Sequence, residues 1–193
     1  QGTKKSSCLH WPRLNNIETN LHFLNKESGI SLSCIRRLYD LFKEMKPDVV
    51  HSHHVGPLLY AGIAARMAEV RKLVHTEHDV WHLNSAKRRM LQWCLLRYLK
   101  PQLVADADVV AEKIKQLYQF SHPQVIHNGI DCEYFPPGDK IQSRENLGLP
   151  LTGQIVGCSG RLNAVKGHHY LLQAISMLDS NISLVLAGDG PEK

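Results

Sequence analysis

The chain has 193 residues, 43% hydrophobic and 21% charged, with a formal net charge of +5. That balance is globular rather than disordered, and no run of about 18 apolar residues is present to span a membrane. The positive charge points to anionic partners such as phosphorylated substrates or anionic lipid surfaces, but it is scattered. The densest spot is "KRR" at 87–89, which weighs against nucleic acid.

The first residues, "QGTKKSSCLHW", carry no starting Met and no apolar stretch of signal-peptide length, so the chain reads as a piece of something longer. Cys8, Cys34, Cys94, Cys132 and Cys158 are widely spaced with no CxxC pair, as expected of free thiols in a reducing compartment.

In chain order, "CIRRLYDLFKEM" (34–45) places Ile35, Leu38, Phe42 and Met45 at helical spacing, and Pro47 stops the helix. "DVVHS" (48–52) is a buried strand. "GPLLYAGIAARMAEV" (56–70) is a helix with Pro57 near its start, and "KLVHT" (72–76) a second strand. "SAKRRMLQWCLLRYLK" (85–100) is a helix with Ser85 as its cap and Pro101 beyond its end. "QLVA" (102–105) and "ADVVAEKIKQLY" (107–118) give another strand and helix, and "QVIHNG" (124–129) a short strand ended by a turn. Short apolar runs alternating with helices imply parallel βαβ units in a doubly wound α/β sheet.

"DCEYFPPGDK" (131–140), with Pro136, Pro137 and Gly138, breaks the rhythm and reads as a linker. It divides a domain over 1–130 from a second over 141–193. The pattern then restarts with a helix at "SRENLGL" (143–149), a strand at "QIVGCS" (154–159), a helix at "HHYLLQAISML" (168–178) and a strand at "ISLVLAG" (182–188).

Ligands of open parallel sheets bind at the carboxyl ends of strands. "GRLNAVKG" (160–167) lies at such an end and leads into a helix. Arg161 offers a bidentate fork, Lys166 a mobile charge, and the helix start unpaired N–H groups. Together they suit a diphosphate, the alternative being a basic solvated loop. "LVLAGDGP" (184–191) is a second glycine-rich strand end.

The chain has 12 histidines, clustered as "HSHH" (51–54), "HTEHDVWH" (75–82) and "HH" (168–169). A strand-end histidine can bond a sugar hydroxyl or serve as acid or base. His51 reads as structural, His53, His54 and His78 as ligand candidates, and His168 and His169 as surface residues. The H-x-H of "HSHH", with more ligands from "HTEHD", also allows a metal-dependent hydrolase, although Val55 and Gly56 interrupt the usual continuation of that motif.

From about residue 33 onward, "PDVVHSHH", "LVHTEHDVW", "VIHNGIDCEYF", "GRLNAVKGHHYLLQA" and "LVLAGDGP" resemble, in order and spacing, the family-four retaining glycosyltransferases of GT-B architecture. The resemblance implies two Rossmann-like doubly wound domains, both incomplete in this chain, facing a cleft. The first is on the acceptor side and lacks its first part; the second, on the nucleotide-sugar side, is only begun. Sugar would pass from a nucleotide-diphosphate sugar to a sugar or lipid-linked acceptor with retention, in cell-surface glycan or glycolipid synthesis. The resemblance further implies that Gly160, Arg161 and Lys166 hold the donor diphosphate with no metal or cofactor required. His78 would be catalytic, beside the transferred sugar, and His54 and Asp79 would face the acceptor. The implied setting is cytoplasmic, with peripheral contact at an anionic inner membrane face. The family's glycine-rich loop and E-x7-E motif are not in the chain. Glu69 and Glu77 have that motif's spacing but fall in the first domain and read as coincidence. Residues 1–193 alone are expected to be marginally folded and without transfer activity. A nucleotide-sugar-binding protein without catalysis is the remaining alternative.

Overall fold

A computed structural model of the protein describes residues 4–11, 14–16, 20–26, 29–178 and 181–193. The chain divides into two compact units, Gln1–Gly129 and Ile130–Lys193.

The first unit begins with helix α1 (Lys4–His10), which no apolar periodicity announces. Helix α2 (Leu32–Met45) starts where the Ser31 hydroxyl accepts from the Cys34 N–H, and ends at Lys46 in the left-handed region. A carbonyl accepting from the Lys46 N–H, with Pro47 following, completes the stop. Strand β1 (Val49–His53) leads through His54 into one helical run: α3 (Val55–Pro57), a wide π-turn (Leu58–Gly62) and α4 (Ile63–Met67). Strand β2 (Lys72–Glu77), a short 3-10 turn (Trp81–Asn84), helix α5 (Ala86–Leu99), strand β3 (Gln102–Ala105), helix α6 (Asp108–Leu117) and strand β4 (Gln124–Val125) follow. Ser85 stands at the start of α5 as expected, but its side chain makes no capping bond.

β1 to β4 form one parallel sheet in sequence order, each next strand reached through a helical crossover as parallel pairing demands. Leu58 and Ile114 are fully buried, packed with Leu73, Leu95, Leu96, Leu99, Leu103 and Tyr118. Cys34 and Leu38 of α2 bury against Ala64 of α4. The register pairs His53 with Thr76, Glu77 with Ala105, and Ala105 with Val125. The chain therefore leaves β1, β2, β3 and β4 along one edge.

In the second unit, helix α7 (Lys140–Asn146) begins three residues before the expected 143, because the Asp139 carboxylate accepts from the Gln142 N–H at 2.8 Å. Buried Arg144 ties the following loop by donating to the carbonyls of Pro150, Leu151 and Gly153. Strands β5 (Gln154–Ser159) and β6 (Ile182–Ala187) pair in parallel along their whole length. Between them lie a 3-10 turn (Ala164–Lys166) and helix α8 (His168–Ser176). Gly188 and Gly190 are required after β6: a Cβ on either would collide with the backbone of Gly160 or Leu162.

All five cysteines are free thiols. Among the described residues no helix is long and apolar enough to cross a membrane.

Candidate functional site

Parallel pairing brings the residues just beyond β1, β2, β3 and β4 together on one edge, and in the first unit these carry the polar side chains. His78 follows β2, Asp106 follows β3, and Asn128 lies just after β4. His78 Nδ1 donates to the Asp106 carboxylate at 2.9 Å, and the Asn128 amide donates to the same oxygen at 3.2 Å. The bond to Asp106 fixes the His78 tautomer and leaves Nε2 as an acceptor. That nitrogen receives His53 Nδ1–H at 2.8 Å, and the two rings stack 5.1 Å apart. The His54 ring also stands 5.1 Å from that of His78. The structure thus brings His78 together with His53 and His54.

Beneath them lies a buried polar chain. The Ser52 hydroxyl donates to His75 Nδ1 at 3.0 Å, and His75 Nε2 donates to Glu77 Oε1 at 2.9 Å. Gln92 donates to the same oxygen at 2.7 Å, and its own carbonyl oxygen accepts from His82 Nε2 at 2.8 Å. Ser52, His75, Glu77 and Gln92 are all buried. Glu77 Oε2 has no hydrogen-bond partner, a condition that costs about 1–3 kcal/mol for a buried polar atom. His54 Nδ1 is 3.9 Å from it.

His54 has φ 62° and ψ 160°, a region that glycine visits freely and that costs other residues about 1–3 kcal/mol. Its N–H donates to the Thr76 carbonyl and its carbonyl accepts from the Leu58 N–H, so the backbone is pinned there. His51, expected to close the strand, instead lies in the middle of β1, bonded through Nε2 to the Thr76 hydroxyl at 2.8 Å. Burial, and after it the neighbouring histidines, hold both His51 and His53 below the ordinary histidine pKa. Asp79 shapes its own loop: its carboxylate accepts from the Trp81 N–H at 3.2 Å and lies 3.5 Å from His82 Nδ1.

In the second unit, the Gly160 N–H donates to the Ala187 carbonyl and the Leu162 N–H to that of Asp189. The two glycine-rich strand ends are therefore tied together, with Arg161 between the two bonds. Lys166 closes the 3-10 turn one residue before Gly167 and α8. Arg161 and Lys166 are exposed, and among the described residues neither side chain has a hydrogen bond or ion pair. His168, expected at the surface, is buried: it opens α8 facing inward, with Nδ1 unpartnered, as is Asn163 Oδ1. His169 stays exposed.

The main omissions of the sequence reading are Asp106 and Glu77. Asp106 had a signal, since it directly follows the "QLVA" run and so leaves a strand at the ligand-binding edge. Glu77, set aside as a coincidence of spacing, is the centre of the buried chain. Among the described residues no three His, Cys, Asp or Glu side chains are grouped to hold a metal ion. His53 bonds to His78, and its ring lies 4.3 Å from that of His51.

Residues 2–134 match the Glycosyltransferase Family 4 model, and residues 139–193 match Glycosyl transferases group 1. A D-inositol 3-phosphate glycosyltransferase of Mycobacterium avium (strain 104) is 32% identical over 158 residues, 75% of this chain and 36% of the relative. A protein of the same description from Stackebrandtia nassauensis is 30% identical over 142 residues, 68% of this chain and 32% of the relative. The chain thus spans about a third of the length of the curated relatives it matches. The apo form of the lipopolysaccharide outer core galactosyltransferase WaaB shares the fold, with a TM-score of 0.50 and 15% identity over 93% of this chain and 44% of that one.

Proposed function

The chain belongs to glycosyltransferase family 4, and from that membership we propose that it serves the transfer of a sugar from a nucleotide-diphosphate sugar to a hydroxyl acceptor, with retention of configuration. The observation that carries the reading is the turn after β5. Two cations stand there beside tied glycine-rich strand ends, with no acidic partner among the described residues.

In such a transfer the bond from the anomeric carbon to the diphosphate oxygen breaks and its electron pair stays with the diphosphate. A new bond forms from that carbon to the acceptor oxygen, whose proton passes to the departing diphosphate. Arg161 and Lys166 offset the charge growing on the diphosphate, an electrostatic effect that acts mainly in the transition state. Gly160 lets the backbone approach the phosphates. Asp106 fixes the His78 ring and its tautomer, and Nε2, which accepts from His53 in this structure, exchanges that bond for one from the transferred sugar. His54 and Asp79 lie on the acceptor side. The reaction needs no metal or cofactor beyond the donor substrate.

A phosphorylated polyol or sugar, or a lipid-linked one, is the proposed acceptor. It is supported by the names of the relatives and by the net charge of +5. The same charge supports work at an anionic inner membrane face, in cell-surface glycan synthesis.

The test is an assay of common nucleotide sugars against inositol phosphates and simple glycosides, using a protein of the relatives' length that carries this chain, with the product anomer read by NMR. Retained configuration is expected. Inversion, or no transfer from a well-folded protein, would overturn the reading.

A further inference from the structure

Glu77 and His54 share a feature that the transfer reading leaves unused. Glu77 is fully buried, and its carboxylate is locked because Oε1 already accepts from both His75 and Gln92. Oε2 has no partner, and His54 Nδ1 stands 3.9 Å away. His82 Nε2 lies equally far from Oε1 but is already donating to Gln92. His54 is half-exposed, with a backbone pinned at both N–H and carbonyl in a conformation that suits glycine. A position that strains any side chain yet carries an imidazole, set over an unsatisfied buried carboxylate oxygen, is a position where the ring has work to do.

We propose that Glu77 is a positioning residue for the acceptor side: Oε2 accepts from Nδ1–H of His54, after a small turn of the ring, and thereby presents His54 Nε2 outward as an acceptor for a hydroxyl of a polyol or sugar. Only the identity of that ligand rests on the transferase reading; the carboxylate–imidazole couple does not. The two histidines at this edge are then set by separate carboxylates, His78 by Asp106 and His54 by Glu77, each with Nδ1 turned inward.

The tautomer is read from imidazole ¹⁵N shifts in selectively labelled protein. Wild-type His54 is expected as the Nδ1–H form. In Glu77→Gln, the amide oxygen keeps the bonds from His75 and Gln92, so the NH₂ replaces Oε2 and donates. His54 must then accept at Nδ1 and switch to the Nε2–H form. In an active protein of the relatives' length, Glu77→Gln should raise the acceptor KM about tenfold, the worth of one hydrogen bond involving a charged group, with the donor KM unchanged. His54→Gln, at a half-exposed side chain, should raise the acceptor KM alike, and the double variant should add nothing further. An Nε2–H tautomer in the wild type, or one unchanged in a folded Glu77→Gln, overturns the proposal. If Glu77→Gln does not fold, the wild-type tautomer and His54→Gln decide alone. Absence of transfer with every donor would sink the transferase reading while leaving the tautomer result standing.

Discussion

The two units carry their functional side chains in opposite ways. In Gln1–Gly129 the strand-edge histidines rest on a four-stranded sheet with Leu58 and Ile114 fully buried, and are bonded to carboxylates and to one another. In Ile130–Lys193 the turn after β5 carries Arg161 and Lys166 as exposed cations with no side-chain partner among the described residues, and Leu162 is the one described hydrophobic residue buried there. Under the proposed function, the difference follows from what each region would have to recognise. A neutral hydroxyl is read by direction, and direction requires fixed rings and settled tautomers. A diphosphate is read by charge, and charge tolerates mobile side chains so long as the turn beneath them is held.

The largest test of this contrast concerns stability. Leu58→Ala should cost about 2–5 kcal/mol of unfolding free energy in urea, as deletions in a filled core do. Leu172→Ala, at an exposed position on α8, should stay within about 0.5 kcal/mol. Equal losses would mean that the units do not differ in packing as described. Next come the cations. Arg161→Ala and Lys166→Ala should each lower kcat/KM by at least ~100-fold, about 2.7 kcal/mol of transition-state stabilisation. Neither should move Tm, since neither side chain is bonded in the fold. Arg161→Lys should recover only part of the loss, because the bidentate fork is gone. Near-normal turnover in either alanine variant would remove the clamp.

That contrast also explains what could be read from the sequence. The strands were legible because β1, β2, β3, β5 and β6 are short apolar runs between helical patterns. The cationic turn was legible because its residues are adjacent in the chain. The Asp106–His78 and Glu77–His54 pairs were not, because their partners are 28 and 23 residues apart and meet only through the register of a parallel sheet. His168 was misplaced because a polar residue at a helix start reads as exposed, whereas here it opens α8 facing inward. α1 was missed for want of an apolar stripe.

A smaller effect separates orientation from charge within the first unit. Asp106→Asn should lower kcat about tenfold, near the value of one charged hydrogen bond, because His78 Nδ1–H loses its anchor and the tautomer is no longer fixed. His78→Ala should lose at least as much. In both variants, nucleoside-diphosphate affinity measured by calorimetry should stay near wild type. A parallel loss of that affinity would assign His78 to the donor diphosphate rather than to the transferred sugar.

The smallest effect is a dependence of stability on pH that belongs to the histidine edge alone. His51 and His53 are both held below the ordinary histidine value of 6.5, first by burial and then by the surrounding imidazoles of His75, His78 and, for His53, His51 and His54. In the unfolded chain those causes vanish, so near pH 6 the unfolded state binds more protons than the folded one. Where that holds, stability rises with pH. The contribution is complete above pH 6.5 and is lost as the pH falls through the lowered folded values. Tm should therefore decline on acidification below about pH 6.5, and the decline should be shallower in His51→Gln/His53→Gln. Both rings are substantially exposed, so solvent screening keeps the effect modest. Substitutions at Arg161 and Lys166, which lie in the other unit, should leave the slope unchanged. A double histidine variant with the wild-type slope would show that the crowded imidazoles do not couple to folding.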